Sequence, residues 1–397
     1  MRVKPYKIYI LLLIIPWFFP TGITLLYPGL NFPVNAWKCI SWAMILYSCA
    51  MHRKRLNKFT KILHILWGIN LIIVLLSDFS PETFNTWATI ACSVCGVALL
   101  YVRYGKKATP ILYHYLLLSI CVNLILRMLM PNMFMLTQSA YDGLSTYTSA
   151  SNFLCTDNTF GPILMTMLLL NELMMNVKRK LGYFMYAFTW IICLVSAISI
   201  FSATCLVALL VVLILKIIEW LHLLSIRIKP AYLVALVVLI FVGIYFLDIQ
   251  RLFAPLIVNL LGKDLTLTRR LGLWSDAIAL IKQRPLFGWG NARNGAIILR
   301  EFYYWYAHNI ILDILLQGGI AMLVAFAAML RRFALCIKGV TSNRTIRRCM
   351  IMLVGVATLN IAESYFSNVY MYVPLILTAW TAMDIKASIV KSAAAKR

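Results

Sequence analysis

The chain has 397 residues, 62% of them hydrophobic and 13% charged, and its 37 Lys and Arg against 13 Asp and Glu give a formal net charge of +24. An average soluble domain carries roughly 25% charged residues, and no soluble fold of this length can hide so much apolar side chain from water. A soluble enzyme is excluded. So is a nucleic-acid-binding protein, because the bases fall in short clusters between apolar runs instead of covering one face.

A helix that spans a bilayer needs about twenty mostly apolar residues. Such runs are expected near 8–27, 35–51, 62–77, 84–102, 109–130 and 159–177, then near 181–199, 201–218, 230–247, 307–328, 349–364 and 366–384. The turn between the spans near 181–199 and 201–218 must be tight. The basic stretch Met1–Lys7, with no Ala-x-Ala-like site after it, predicts a retained first helix and not a cleaved signal peptide. Cys92 and Cys95 form a CxxC inside a span, with no second pair of ligands, and read as small packing residues. No metal or other cofactor is expected.

Most of the Lys and Arg residues fall in alternate segments: 1–7, 53–61, 103–107, 178–180, 216–229, 331–348 and 386–397. The segments between them, 28–34, 78–83, 131–158 and 363–367, hold none. Basic residues favour the cytoplasmic side, so both termini are expected there. The expected fold is an all-α integral membrane protein of about twelve transmembrane helices, one polytopic domain over 1–397.

Residues 248–306 form the one large extracytoplasmic loop in this scheme, and they oppose the charge rule. Arg251, Lys263, Arg269, Arg270, Lys282, Arg284, Arg293 and Arg300 stand against Asp248, Asp264, Asp276 and Glu301. A basic outer loop points to an anionic ligand outside the cytoplasm, or to anionic lipid headgroups. Within it, 268–284 reads as an amphipathic helix, with Leu271, Trp274, Ile278 and Ile281 on one stripe and Thr268 as cap. Such a helix is expected on the membrane surface with Arg269, Arg270 and Arg284 at headgroup level.

Pro285-Leu-Phe-Gly288-Trp-Gly290 follows, and its glycines allow sharp turns and close backbone approach to a ligand. Arg293 lies just beyond. Tyr303, Tyr304, Trp305 and Tyr306 cluster where the chain re-enters the membrane, as an aromatic belt or as rings that stack on sugars. His308 and Asn309 open the next span, with Asp313 one turn beyond Asn309. His exchanges protons near neutral pH, which suits acid–base work, and Asn can orient a neighbour. Arg127 and Glu363 are intramembrane charges near the outer ends of their spans, and they either pair structurally or line a substrate cavity.

The ordered set Arg270-Leu-Gly-Leu-Trp274, Pro285-Leu-Phe-Gly288-Trp-Gly290, and His308-Asn309 followed after nine residues by Gly319 resembles the O-antigen ligase and polymerase superfamily. The resemblance implies a GT-C-like membrane glycosyltransferase of the bacterial inner membrane. Its implied donor is an undecaprenyl-diphosphate-linked oligosaccharide, with a chain-length regulator and a flippase as further candidate partners. It implies Arg270 and His308 as catalytic residues, the arginines holding the diphosphate and His308 assisting the acceptor hydroxyl. Arg269, Arg284, Arg293, Asn309, Gly288, Gly290, Trp305, Arg127 and Glu363 are the expected substrate-binding positions.

Ligases of the superfamily often carry an arginine near the span equivalent to 201–218 and end the histidine motif Gly-x-x-Gly. Here no arginine lies between Arg179 and Arg227, and the motif ends Gly319-Ile-Ala-Met322. The expected activity is therefore a surface-polysaccharide polymerase, with a ligase to the lipid A core as the nearest alternative. A transporter or flippase of lipid-linked glycan is the alternative of another class.

Overall fold

The computed structural model describes residues 4–77, 79–133, 135–139, 146–150, 152–177, 182–221, 228–255, 270–290 and 307–395. The chain opens with α1 (Pro5–Trp17), α2 (Thr21–Leu26) and α3 (Asn31–Met51), followed by α4 (Lys58–Ser77), α5 (Pro81–Tyr104) and α6 (Ala108–Leu129). Next come α7 (Phe160–Val177), α8 (Gly182–Ile200), α9 (Ala203–Trp220), α10 (Pro230–Leu247) and the short loop helix α11 (Arg270–Gln283). The last three are α12 (Ile310–Ile337), α13 (Arg344–Ala362) and α14 (Val369–Ala394).

Among the described residues, eight segments are helical, long and apolar enough to cross a membrane, one of them the 49-residue run Pro81–Leu129 that holds both α5 and α6. The protein is a helical membrane protein. The run expected at 8–27 is not one helix. Pro16 and Pro20 remove backbone donors, and the chain breaks between α1 and α2, where Thr21 and Gly22 donate to the carbonyls of Leu154 and Phe153 instead. The other departure from helix is an antiparallel pair of short strands, Met135–Ser139 with Thr146–Ala150.

Local sequence explains where the helices start and stop. Ser80 and Thr83 form a capping box ahead of α5, with Pro81 at its first turn. Asn309, Asn343 and Asn368 each accept backbone N–H bonds at the starts of α12, α13 and α14. The tight turn between α8 and α9 is made by Phe201 at φ 55° and Ser202.

α7 and α13 form the core. Both are buried along most of their length, α13 from Cys349 onward, as a helix surrounded by other helices must be. α10 is peripheral and exposes Val234, Leu239, Phe246 and Leu247, a surface that only lipid suits.

Around the N-terminal end of α13 lies a buried charge network. Lys216 of α9 reaches Glu172 of α7 at 2.9 Å and Glu219 at 3.3 Å. Arg348 of α13 reaches Glu172 at 3.3 Å and Glu219 at 3.2 Å, and Tyr186 of α8 donates to Glu172 at 2.5 Å. Each carboxylate meets both Lys216 and Arg348, and the exposed Arg344 lies 3.7 Å from Glu219 as well, so burial of these charges is compensated.

Candidate functional site

At the other end of α13, fifteen residues and roughly 22 Å of helix beyond Arg348, three charged side chains from distant parts of the sequence converge. Glu363 follows α13 in extended conformation, φ −141° and ψ 167°. Its Oε1 accepts from Arg270 Nη2 in a short contact, and its Oε2 lies 2.7 Å from His308 Nδ1. Glu363 is 2% exposed, and the side chains of His308 and Arg270 are 9% and 17% exposed.

Glu363 is not placed for the good of its own helix. An anion at the end of α13 opposes the helix dipole. Its position serves Arg270 and His308 instead. His308, just before α12 and not within it, takes the left-handed conformation at φ 49°, uncommon for a side-chain-bearing residue. Strain and opposed dipoles held in place by surrounding packing are the habit of functional positions.

Pairing with Glu363 also decides the chemistry of the imidazole. Against an ionised carboxylate Nδ1 carries the proton, which leaves Nε2 as the nitrogen that gains or loses one. Arg270 offers five N–H donors in a planar fork, more than one carboxylate oxygen can use.

Asn309 holds this corner together. It is fully buried, its Oδ1 accepts from Ile311 N and Leu312 N, and its Nδ2 donates to the Ile361 carbonyl on α13. One turn on, Asp313 accepts from Ser364 Oγ at 2.6 Å and from Gln317 Nε2 at 3.0 Å. Asn309 and Asp313 thus tie α12 to both sides of Glu363.

The Pro285–Gly290 segment has a different task from the one expected. Gly288 (φ 63°) and Gly319 (φ 59°) press backbone against backbone: a Cβ on Gly288 would meet Leu316 O at 2.7 Å, and one on Gly319 would meet Leu286 O at 2.5 Å. α12 is broken at Gly319, and the loop supplies the missing bonds. Trp289 N and Gly290 N donate to Leu316 O and Gln317 O at 2.8 Å, while Ile320 N and Ala321 N donate to Pro285 O and Leu286 O. The room these glycines create is filled by α12 and not by a ligand. Arg284 lies over the Trp289 ring at 4.1 Å, and Trp289 Nε1 donates to Leu280 O, so Arg284 braces the same loop.

α11 departs from expectation as well. It is described from Arg270 onward, the expected cap Thr268 lying outside the described residues, and its apolar side docks on protein: Trp274 is fully buried with Phe241, Leu312 and Leu316 around it. Large rings on α10 offer the stripe a protein partner, which lipid headgroups cannot match. The clamp and this docking together join α11 and α12, and hence Arg270 and His308, into one unit.

Arg127 does not join the cluster. Its Nε donates to Ser199 O at 2.9 Å and its Nη1 is 3.7 Å from Asp157, whose carboxyl is raised above the usual range chiefly by burial. Arg269, Arg293 and Trp305 lie outside the described residues. Ser364, Gln317 and the inner network were not anticipated. A Glu inside the seventh helix, with Lys216 and Glu219 one turn apart on the ninth, was the signal for the network.

No curated protein matches the chain. Residues 181–327, from the start of α8 to the middle of α12, match the family model described as O-antigen ligase. The match takes in Arg270 and His308 and stops short of Glu363. Over this segment, a little over a third of its length, the chain is similar to the O-antigen ligase family.

Proposed function

We propose that the chain is a surface-polysaccharide polymerase, a metal-independent glycosyltransferase that joins undecaprenyl-diphosphate-linked glycans en bloc. The observation that carries this reading is the joining of Arg270 and His308 through Glu363 at one end of the bundle. In the transfer, the acceptor hydroxyl oxygen attacks the anomeric carbon of the donor glycan. The bond from that carbon to the diphosphate oxygen breaks, and the carrier diphosphate leaves with the electron pair. His308 Nε2 takes the hydroxyl proton, and Glu363 stabilises the imidazolium that forms. Arg270 neutralises the departing diphosphate with the donors that Glu363 does not use.

In this reading the chain crosses the inner membrane twelve times in a GT-C-like arrangement with both termini in the cytoplasm. The loop 248–306 then faces outward, where a lipid-linked donor is presented. Cysteine labelling at Asn259 and Gly295 should succeed from outside intact inner membranes, and labelling only after the cytoplasm is opened reverses the topology.

The description of the matched family supports a second reading, transfer of finished glycan to a lipid A core. The missing arginine between Arg179 and Arg227 favours polymerisation. The glycan profile of a deletion strain separates them: cores capped by single repeats support a polymerase, and naked cores support a ligase.

A further inference from the structure

One buried acid is used by neither the cluster nor the helix caps. Asp313 is 2% exposed, and both of its side-chain hydrogen bonds, from Ser364 and Gln317, fall on Oδ2. Its Oδ1 has no hydrogen-bond partner, and neither does the buried Oε1 of Gln317. An ionised carboxylate here would be a buried charge with no Lys or Arg paired to it among the described residues, and its one basic neighbour, His308, is already bonded to Glu363. Two acceptor oxygens would also stand bare on side chains that already bond to each other. Buried polar atoms are nearly always paired, so both need a donor.

The surroundings offer few. Besides Ser364 and Gln317 there are the backbone N–H of Ala307, which is directed at the Asp313 carboxyl but leaves Gln317 Oε1 bare, then His308, and Tyr372 on α14. Tyr372 donates its hydroxyl proton to Phe366 O at 2.9 Å, and His308 Nδ1 is bonded to Glu363. Glu363 itself is engaged at both oxygens.

We infer that Asp313 holds a resident proton on Oδ1 and donates it to Gln317 Oε1, while Gln317 Nε2 continues to donate to Oδ2. This is the cyclic pair of a carboxylic acid with a primary amide, and a protonated carboxyl has the one donor it requires. A single proton gives both bare oxygens a partner and removes the buried charge. The spacing of four residues on α12 puts the two side chains on one helix face, where they can meet.

The consequence rests on the proposed function. With Asp313 neutral, Glu363 is the one anion facing Arg270 and His308 among the described residues, so once His308 has taken the acceptor proton the site is net positive toward the departing carrier diphosphate. Asp313 is then a positioning residue: through Ser364 it holds the chain next to Glu363 without adding a competing negative charge.

Infrared difference spectroscopy of the full chain against Asp313→Asn tests this. The wild type should show the C=O stretch of a protonated carboxylic acid at neutral pH, unchanged into mildly alkaline buffer, and the variant should lack it. In Gln317→Leu the band should move to higher frequency, because the carbonyl loses its amide donor. This second variant decides the matter if Asp313→Asn fails to accumulate. Asp313→Asn keeps the neutral cyclic pairing, so its transfer rate should stay within about threefold of wild type.

Absence of the band overturns the proposal, as does a rate that follows sodium or potassium concentration, since a cation would then occupy the place of the proton. An Asp313→Asn variant as inactive as Glu363→Gln overturns it too. The band reports on Asp313 whatever the reaction, so its presence beside an unchanged glycan profile in a deletion strain would overturn the proposed reaction alone.

Discussion

The two ends of α13 carry two buried charge clusters of opposite design. Around Arg348, two carboxylates from α7 and α9 are matched against two cations from α9 and α13, each acid touching both, with the exposed Arg344 added at 3.7 Å from Glu219. Around Glu363 one carboxylate serves two basic groups, each through a single oxygen. The first arrangement is balanced and links transmembrane helices to one another. The second has cationic capacity to spare, is built from a loop helix and a strained turn, and sets its carboxylate against the dipole of α13. Charges that neutralise one another hold a fold together; charges left with unused capacity are available to a ligand.

Substitutions can break this contrast. The largest effect is expected from His308→Gln, an amide that keeps hydrogen bonding but cannot take a proton at neutral pH. Transfer should fall about 10²–10⁴-fold, with lipid-linked single repeats accumulating and membrane levels of the protein unchanged. Glu363→Gln should follow it closely. Long glycan chains from a stably expressed His308→Gln would show that the imidazole does no proton transfer.

The inner cluster should respond in stability instead. Glu172→Leu leaves Lys216 and Arg348 short of a buried counter-charge, which costs about 3–5 kcal/mol. Protein yield and thermal midpoint should drop, while any surviving protein keeps its outer site. An unstable His308→Gln beside a stable Glu172→Leu would invert the comparison.

Arg270→Ala removes a charged hydrogen-bonding partner of both Glu363 and the proposed diphosphate, with a loss of about ten- to a hundredfold in transfer. Arg270→Lys should restore only part of it, because an ammonium lacks the planar fork. Wild-type chain lengths from Arg270→Ala would sink its assignment to the diphosphate.

Gly319→Ala forces a side chain into the left-handed region and against Leu286, at about 1–3 kcal/mol. It should slow transfer by displacing Arg270 relative to His308, read as a lower kcat with the protein still folded. The smallest effect is expected from Arg127→Met. Its pair with Asp157 is 3.7 Å long and partly exposed, so about 0–1 kcal/mol is at stake, and glycan length should not change. A short-chain phenotype there would make Arg127 part of the outer site after all.

Much of this molecule follows from its sequence alone. Apolar length, alternating basic segments, the Asn residues ahead of α12, α13 and α14, and the stripe of α11 are local properties, because hydropathy, capping and periodicity act over one to five turns. Apolar length and charge pattern were enough to place most of the helices, though not the break inside 8–27, and to single out Arg270, His308 and Glu363. What Glu363 does was beyond them. It meets His308 across 55 residues and Arg270 across 93, and no spacing in the chain encodes those separations.

The same holds for Gly288 and Gly319. Glycine in a loop announces that something approaches closely, and only the packed structure decides that it is the backbone of α12. Side-chain pairing between helices depends on how far each is rotated and shifted against its neighbours, a property of the assembled bundle and of no single helix.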